Sequence, residues 1–246
     1  MEHLLTVIVN HEHNEEGIRL KEHLKDDFNP ILMDSGSEIS DSESPHFDYQ
    51  FPNIYYNGLI NEAYKLMKSK HTHLFLITSD VEIADPRDLH EKMESSLANP
   101  STGAYAPSAS HTTHNHMHNL GSNKTRKVTF TDGFCVVMPK TFLDIICPID
   151  LKVNYIGHGI EIYMGYLGMV NNRPSVVDDR VIVDHPPGKS GYSGKEARIQ
   201  RDNWFDTKTK KARIFHYWAS MDWLKNRTGF ICLQLLMKVL GKMKTL

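Results

Sequence analysis

The apolar positions of this chain fall into two alternating patterns. Short solid runs at 4–9, 31–33 and 73–78 have the length and make-up of strands buried on both faces. Between them the spacing changes to the helical period. Asn14 stands as the N-cap of a helix that runs to about residue 27, and residues 57–70 put Leu59, Ile60, Ala63, Leu66 and Met67 on one face. A third helix starts at Asp85-Pro86 and reaches Leu97, ahead of a turn at 99–103. This β-α-β-α-β-α order predicts an α/β fold, a mostly parallel twisted sheet with helices on both faces. Residues 38–52 are acidic, serine-rich and broken by proline, and read as a loop.

The second half is more mixed. Strands are expected at 103–108, 128–138 and 176–183, and helices at 139–146 and 160–167. The polar segment 109–127 is too long for an idle connection. It holds His111, His114, His116 and His118, but no cysteine lies nearby to complete a zinc site. It reads instead as a loop over a binding site. Residues 186–194 form a glycine-containing loop that can meet phosphate, with Lys189 at its centre. Beyond it come helices with basic faces, so the chain divides into a domain at 1–194 and a basic helical extension at 195–246.

Charge sharpens that division. The 246 residues sum to a formal −2, yet residues 187–246 carry 13 Lys+Arg against four acids, a balance of +9 that leaves −11 on the rest. Such asymmetry implies an anionic partner for the tail: lipid head groups, a phosphate-bearing acceptor or nucleic acid. The last helix adds an apolar stripe of Phe230, Ile231, Leu235, Leu236 and Val239 among its lysines. That pattern suits docking at an anionic surface and equally suits packing on the domain. Trp218 and Trp223 read as packing residues. Three widely spaced cysteines, Cys135, Cys147 and Cys232, argue against a disulfide framework. Neither a signal segment nor a run long enough to span a bilayer is visible. The expected location is cytoplasmic, or peripheral at the inner membrane surface.

Three of the early strands end in polar residues that point to chemistry: Asn10, Asp34 and Asp80. In open α/β sheets ligands bind outside the carboxyl ends of the strands, and an acid there is held by a rigid element. The ordered motifs across roughly residues 4–190 resemble the nucleotide-sugar-dependent glycosyltransferases of the glycosyltransferase-A fold, in the broad family-2-like group. The opening strand with Asn10, Glu12 and Asn14-Glu15 resembles that family's first strand and turn. Asp34-Ser35-Gly36-Ser37 resembles its Asp-x-x-Ser motif, whose acid contacts the nucleotide, and Asn57-Gly58 resembles the stretch beside it. Ser79-Asp80-Val81 stands where the family has its metal-binding Asp-x-Asp, with one acid instead of two. Asp132-Gly133-Phe134 resembles the floor of the acceptor site. Gly157-His158-Gly159-Ile160-Glu161 resembles the segment with the catalytic base, and Val183-Asp184-His185 the strand whose histidine completes the metal shell.

The resemblance implies a transferase that moves a sugar from a nucleotide diphosphate sugar, a UDP-sugar first, to a hydroxyl acceptor with inversion. It implies Glu161 as base with Asp132 second, Mn2+ or Mg2+ held by Asp80 and His185, and donor contacts from Asn10, Glu12, Asp34, Asn57, Ser79, Asp80 and Lys189. A glycan or lipid-linked glycan is the implied acceptor. The compact size and basic tail also admit hydroxymethylated pyrimidines in DNA, and the reduced acidic motifs admit a non-catalytic sugar-binding module.

Overall fold

The computed structural model describes residues 2–38, 47–112, 114–186, 193–219, 221 and 227–242. Its strands are β1 (Leu4–Asn10), β2 (Ile31–Ser35), β3 (Tyr49–Phe51), β4 (His73–Thr78), β5 (Glu82–Ile83), β6 (Tyr105–Ala109), β7 (Thr125–Val128), β8 (Cys135–Pro139) and β9 (Ser175–Asp184). Its helices are α1 (Asn14–Phe28), α2 (Tyr55–Leu66), α3 (Pro86–Leu97), α4 (Lys140–Ile146), α5 (Ile160–Val170), α6 (Gly194–Asp206), α7 (Lys210–Ala219) and α8 (Arg227–Lys242).

All nine strands join one sheet in the order β3-β2-β1-β4-β8-β6-β9-β5, with β7 paired to β9. The first four are parallel, in keeping with the continuous apolar runs of β1, β2 and β4. β8 then enters antiparallel beside β4, and β6 antiparallel beside β8. β9 runs parallel to β6, while β5 and β7 pair antiparallel with it. The sheet is therefore mixed, with its parallel half built by the early crossover units. Of the segment read as one strand at 128–138, residues 135–138 lie in β8, while Val128 is the last residue of β7, whose other three residues fall in the segment read as a loop at 109–127. The predicted loop at 38–52 ends in the short β3.

Alternation along each strand divides the core in two. Leu5, Val7, Val9, Leu74, Leu76, Val136 and Met138 face one layer, which α2, α4 and α5 cover. Ile8, Phe75, Ile77, Cys135 and Val137 face the other, which α1 and α3 cover through Leu20, Leu24, Phe28, Leu89 and Met93. Asp85 caps α3, its side chain accepting from the Asp88 N–H with Pro86 in the first turn. Trp204, Phe205, Phe215 and Leu233 from the basic C-terminal helices are buried in the first layer, and Trp218 packs against it. The charge boundary near residue 194 is thus crossed by a shared core. Trp223, Lys189 and most of the predicted 186–194 loop lie outside the described residues. No described helix is long and apolar enough to cross a membrane.

Candidate active site at the carboxyl ends of the strands

The topology gathers chemistry at one edge of the sheet. β1 and β4 end there, at Asn10 and at Thr78-Ser79-Asp80. Because β8 is antiparallel to β4, its amino-terminal lead-in, Asp132–Phe134, arrives at the same edge: the Thr78 N–H donates to the Phe134 carbonyl at 2.8 Å. The two-residue β5 begins one residue beyond Asp80, after Val81, and pairs with the end of β9, Glu82 opposite Asp184. That pairing carries His185 to Asp80. The result is a cavity of about 410 Å³ whose wall includes Asn10, Ser79, Asp80, Asp132, Glu161 and His185.

His185 Nε2 lies 3.4 Å from Asp80 Oδ2. The His185 ring is stacked on Phe134, centroids 4.4 Å apart and planes within 6°. Burial pushes the Asp80 carboxyl up, but polar contacts with His185 and Thr78 outweigh it and hold the group below the usual carboxylate range. Burial pushes the His185 imidazole down, and the carboxylates of Asp80, Asp132 and Asp184 outweigh it and raise it. Asp80 Oδ1 is buried and has no hydrogen-bond partner among the described residues. An orphaned carboxylate oxygen is costly unless something else satisfies it. Beside an imidazole nitrogen, it forms an oxygen-and-nitrogen donor pair that suits Mn2+. Among the described residues no third His, Cys, Asp or Glu joins them in a closed cluster. The pair therefore fits a cation that takes its remaining ligands from a diphosphate and water.

Glu161 stands in the first turn of α5, with the Gly159 N–H donating to its Oε1 at 3.3 Å. Burial lifts its carboxyl to about 7, the Asp132 carboxylate adding to the rise and His114 opposing it. A carboxylate that gains and loses its proton near neutrality has the affinity a general base needs. The approach to α5 depends on glycine. Gly157 (φ +116) would put a Cβ 2.6 Å from the Tyr56 ring, and Gly159 (φ +100) would put one 2.8 Å from Arg201. Only glycine adopts both conformations in that space. Asp132 accepts from the Gly133 N–H at 2.7 Å, and its other oxygen lies 3.7 Å from His114 Nε2.

Not every predicted residue reaches the cavity. Asp34 is fully buried; its carboxylate accepts from Asn10 Nδ2 at 2.9 Å and from the Ser37 N–H and hydroxyl. It ties the turn after β2 to the end of β1. Asn57 is also fully buried, its Nδ2 donating to the Asn154 carbonyl at 2.8 Å. Glu12 takes a left-handed conformation (φ 63), its N–H bound to the Ser37 hydroxyl. None of these three is part of the cavity wall. The histidine-rich segment separates by position. His114 reaches the wall, His111 Nδ1 bonds Asp184 at 2.7 Å, and His116 Nε2 meets the Phe130 carbonyl at 2.9 Å inside the core.

Tyr55 and Tyr56, which the sequence does not single out, also line the cavity, together with His11 and with His158 of the Gly157–Glu161 motif. Tyr55 opens α2 at φ 55 and packs on Tyr155, ring centroids 4.5 Å apart. An aromatic pair directly before Asn57-Gly58 was the available signal; the positive φ that turns Tyr55 outward was not readable.

No protein-family model matches the chain, and no curated protein matches it in sequence. Solved structures do match in shape. A mannosyltransferase, PcManGT from Pyrobaculum calidifontis in complex with GDP-Man and Mn2+, aligns with TM-score 0.59 at 12% identity, over 99% of this chain and 76% of that one. GalNAc-T7 with UDP, GalNAc and Mn2+ aligns with TM-score 0.58 at 9% identity, over 96% of this chain and 54% of that one. At such identities the likeness speaks for architecture, and the architecture of this chain is the glycosyltransferase-A fold.

Proposed function

We propose that this protein is a metal-assisted glycosyltransferase that moves a sugar from a nucleoside diphosphate donor, a UDP-sugar first, to a hydroxyl of a glycan or lipid-linked glycan. The observation that carries the reading is the pairing of Asp80 and His185, one Asp80 oxygen unsatisfied, on the same cavity as a carboxyl lifted to about 7, Glu161. The two structural neighbours, both solved with Mn2+ and a nucleotide, support it.

Asp80 and His185 would hold a divalent cation, Mn2+ or Mg2+. When bound, the cation offsets the negative charge that builds on the leaving diphosphate. The remaining work falls to the chain. Asn10 and Ser79, at the ends of β1 and β4, flank Asp80 on the donor side. Glu161, ionised, accepts the proton of the acceptor hydroxyl as its oxygen bonds to the anomeric carbon. The bond from that carbon to the diphosphate breaks on the opposite face, so the product has inverted configuration. Asp132, with its N–H bond from Gly133, is the third carboxylate of the cavity wall beside Asp80 and Glu161, and orients the acceptor.

A panel of nucleoside diphosphate sugars, each incubated with protein and Mn2+, tests the reading through release of the nucleoside diphosphate. One or two donors should turn over, and EDTA should stop them. A panel in which no donor is hydrolysed or transferred, with Mn2+ or Mg2+ present, would overturn it.

A further inference from the structure

The last helix faces two ways. α8 packs on α5, α7 and β7. Leu233 is buried to 1% exposure, and Leu236 packs against the same core. The apolar stripe expected on this helix therefore splits. Its inward part is Leu233 and Leu236. Ile231, Leu235 and Val239 are 48%, 59% and 58% exposed. They recur at every fourth residue, so they form a single ridge on the solvent side. Large aliphatic side chains aligned in this way are not the scattered surface leucines of an ordinary protein.

We propose that this ridge docks the protein on an anionic lipid surface. The charge around it selects that occupant. Lys238 is exposed one turn from Leu235, and residues 187–246 as a whole carry a balance of +9. An apolar ridge beside an exposed cation lies in the plane of a bilayer interface, its aliphatic groups among the acyl chains and Lys238 at the phosphates. A second copy of the chain fits poorly. Two such faces would bring like charges together, and three side chains fall well short of the ~800 Å² per partner of a stable interface. Nucleic acid would use the lysines but would leave the aliphatic ridge in water. The inference stands apart from the sugar-transfer reading, because it uses no residue of the cavity.

The test is sedimentation of the full-length protein with vesicles, of phosphatidylcholine alone or of phosphatidylcholine mixed with phosphatidylserine. Binding should require phosphatidylserine and weaken with salt. Ile231→Ser/Leu235→Ser/Val239→Ser should lower partitioning at least ~10-fold with an unchanged melting temperature, since these groups are exposed. Lys238→Gln should lower it about fivefold, the weight of one cation near a charged surface. Leu233→Ser, on the inward face, should instead lower the melting temperature. No binding to phosphatidylserine vesicles, or full binding by the triple variant, would overturn the proposal. So would a ridge-dependent dimer in light scattering, or retention on duplex DNA without binding to vesicles.

Discussion

Asp80 and Glu161, on the wall of one cavity, are shifted in opposite electrostatic directions. The Asp80 carboxyl is held below the usual carboxylate range because His185 and Thr78 favour its charge against the opposing effect of burial. Replacing it with Asn keeps its size and removes that charge. Turnover of the preferred donor should fall by at least ~10²-fold, the scale of losing a main electrostatic stabiliser. Near-normal rates in Asp80→Asn would remove the cation from the scheme. Glu161 has its carboxyl raised to about 7 from 4.5. A base must be ionised, so the rate should climb as pH rises through about 7, and Glu161→Gln should lose transfer while keeping donor affinity within a few-fold. The same shift has a cost in stability. Between pH 4.5 and about 7 the folded state holds the proton more tightly than the unfolded chain, so stability falls as pH rises through that window. Glu161→Gln should therefore melt higher than the parent at pH 8, with the gap closing towards pH 5. An equal melting temperature at both pH values would show that the carboxyl is not held in its acid form.

At the level of elements, the site depends on how α5 meets the sheet. Gly165 lies where an added Cβ would stand 2.2 Å from the Thr129 carbonyl oxygen and 3.0 Å from Phe130 Cβ. Backbone there cannot yield as a flexible side chain would. Gly165→Ala should destabilise the fold by ~1–3 kcal/mol, about 2–4 °C of melting temperature for each kcal/mol in a chain of this size. An unchanged melting curve would mean that α5 can move outward freely. The apolar face of α5 was readable, but its glycine contact was not, since Thr129 is far away in sequence. β5 shows the same limit. Two residues have no detectable period, yet their pairing with β9 joins His185 to Asp80. Acids on β9 illustrate the reverse case. Asp178 and Asp179 lie on the strand that leads to His185. In the structure Arg180 Nη2 lies 2.7 Å from Asp178 Oδ2, and Arg126 Nε lies 3.1 Å from Asp179 Oδ2. Both carboxylates are absorbed by the architecture.

For the molecule as a whole, the basic C-terminal helices are part of the core. Trp204, Phe205, Phe215 and Leu233 lie in the same apolar layer as Leu74, Leu76 and Val136. Deleting residues 194–246 would open that layer to water. The truncated chain should lose cooperative unfolding and near-ultraviolet circular dichroism, the signs of fixed packing. A soluble, cooperatively melting 1–193 fragment would show instead that the sheet and α1–α5 close their own core. Cation binding also belongs to this scale. Under the proposed function, Mn2+ with a nucleoside diphosphate should raise the melting temperature of the parent, because ligands of the folded state stabilise it. Asp80→Asn should remove the increment that requires Mn2+.

What the sequence by itself determined is local. Solid apolar runs specified β1, β2 and β4, helical spacing specified α2, start signals at Asn14 and at Asp85-Pro86 specified α1 and α3, and the order of strands and helices specified the α/β class. Each element rests on a signal within a dozen residues. It also marked Asp80 as the acid at the end of a buried strand. What only the tertiary structure decided is direction and company. Asn10, Ser79 and Asp80 face the cavity, while Asp34, at the end of the neighbouring strand, turns inward to bind Asn10 and Ser37. Asn10 and Asp34 share one register position on neighbouring strands, and what separates them is that Asn10 and the turn residue Ser37 occupy the Asp34 carboxylate. The apolar residues of α8 likewise share one helical pattern, and only the position of α5, α7 and β7 against it determined that Leu233 is buried and Leu235 is exposed. Such choices are made by contacts between segments distant in the chain, which no local period encodes.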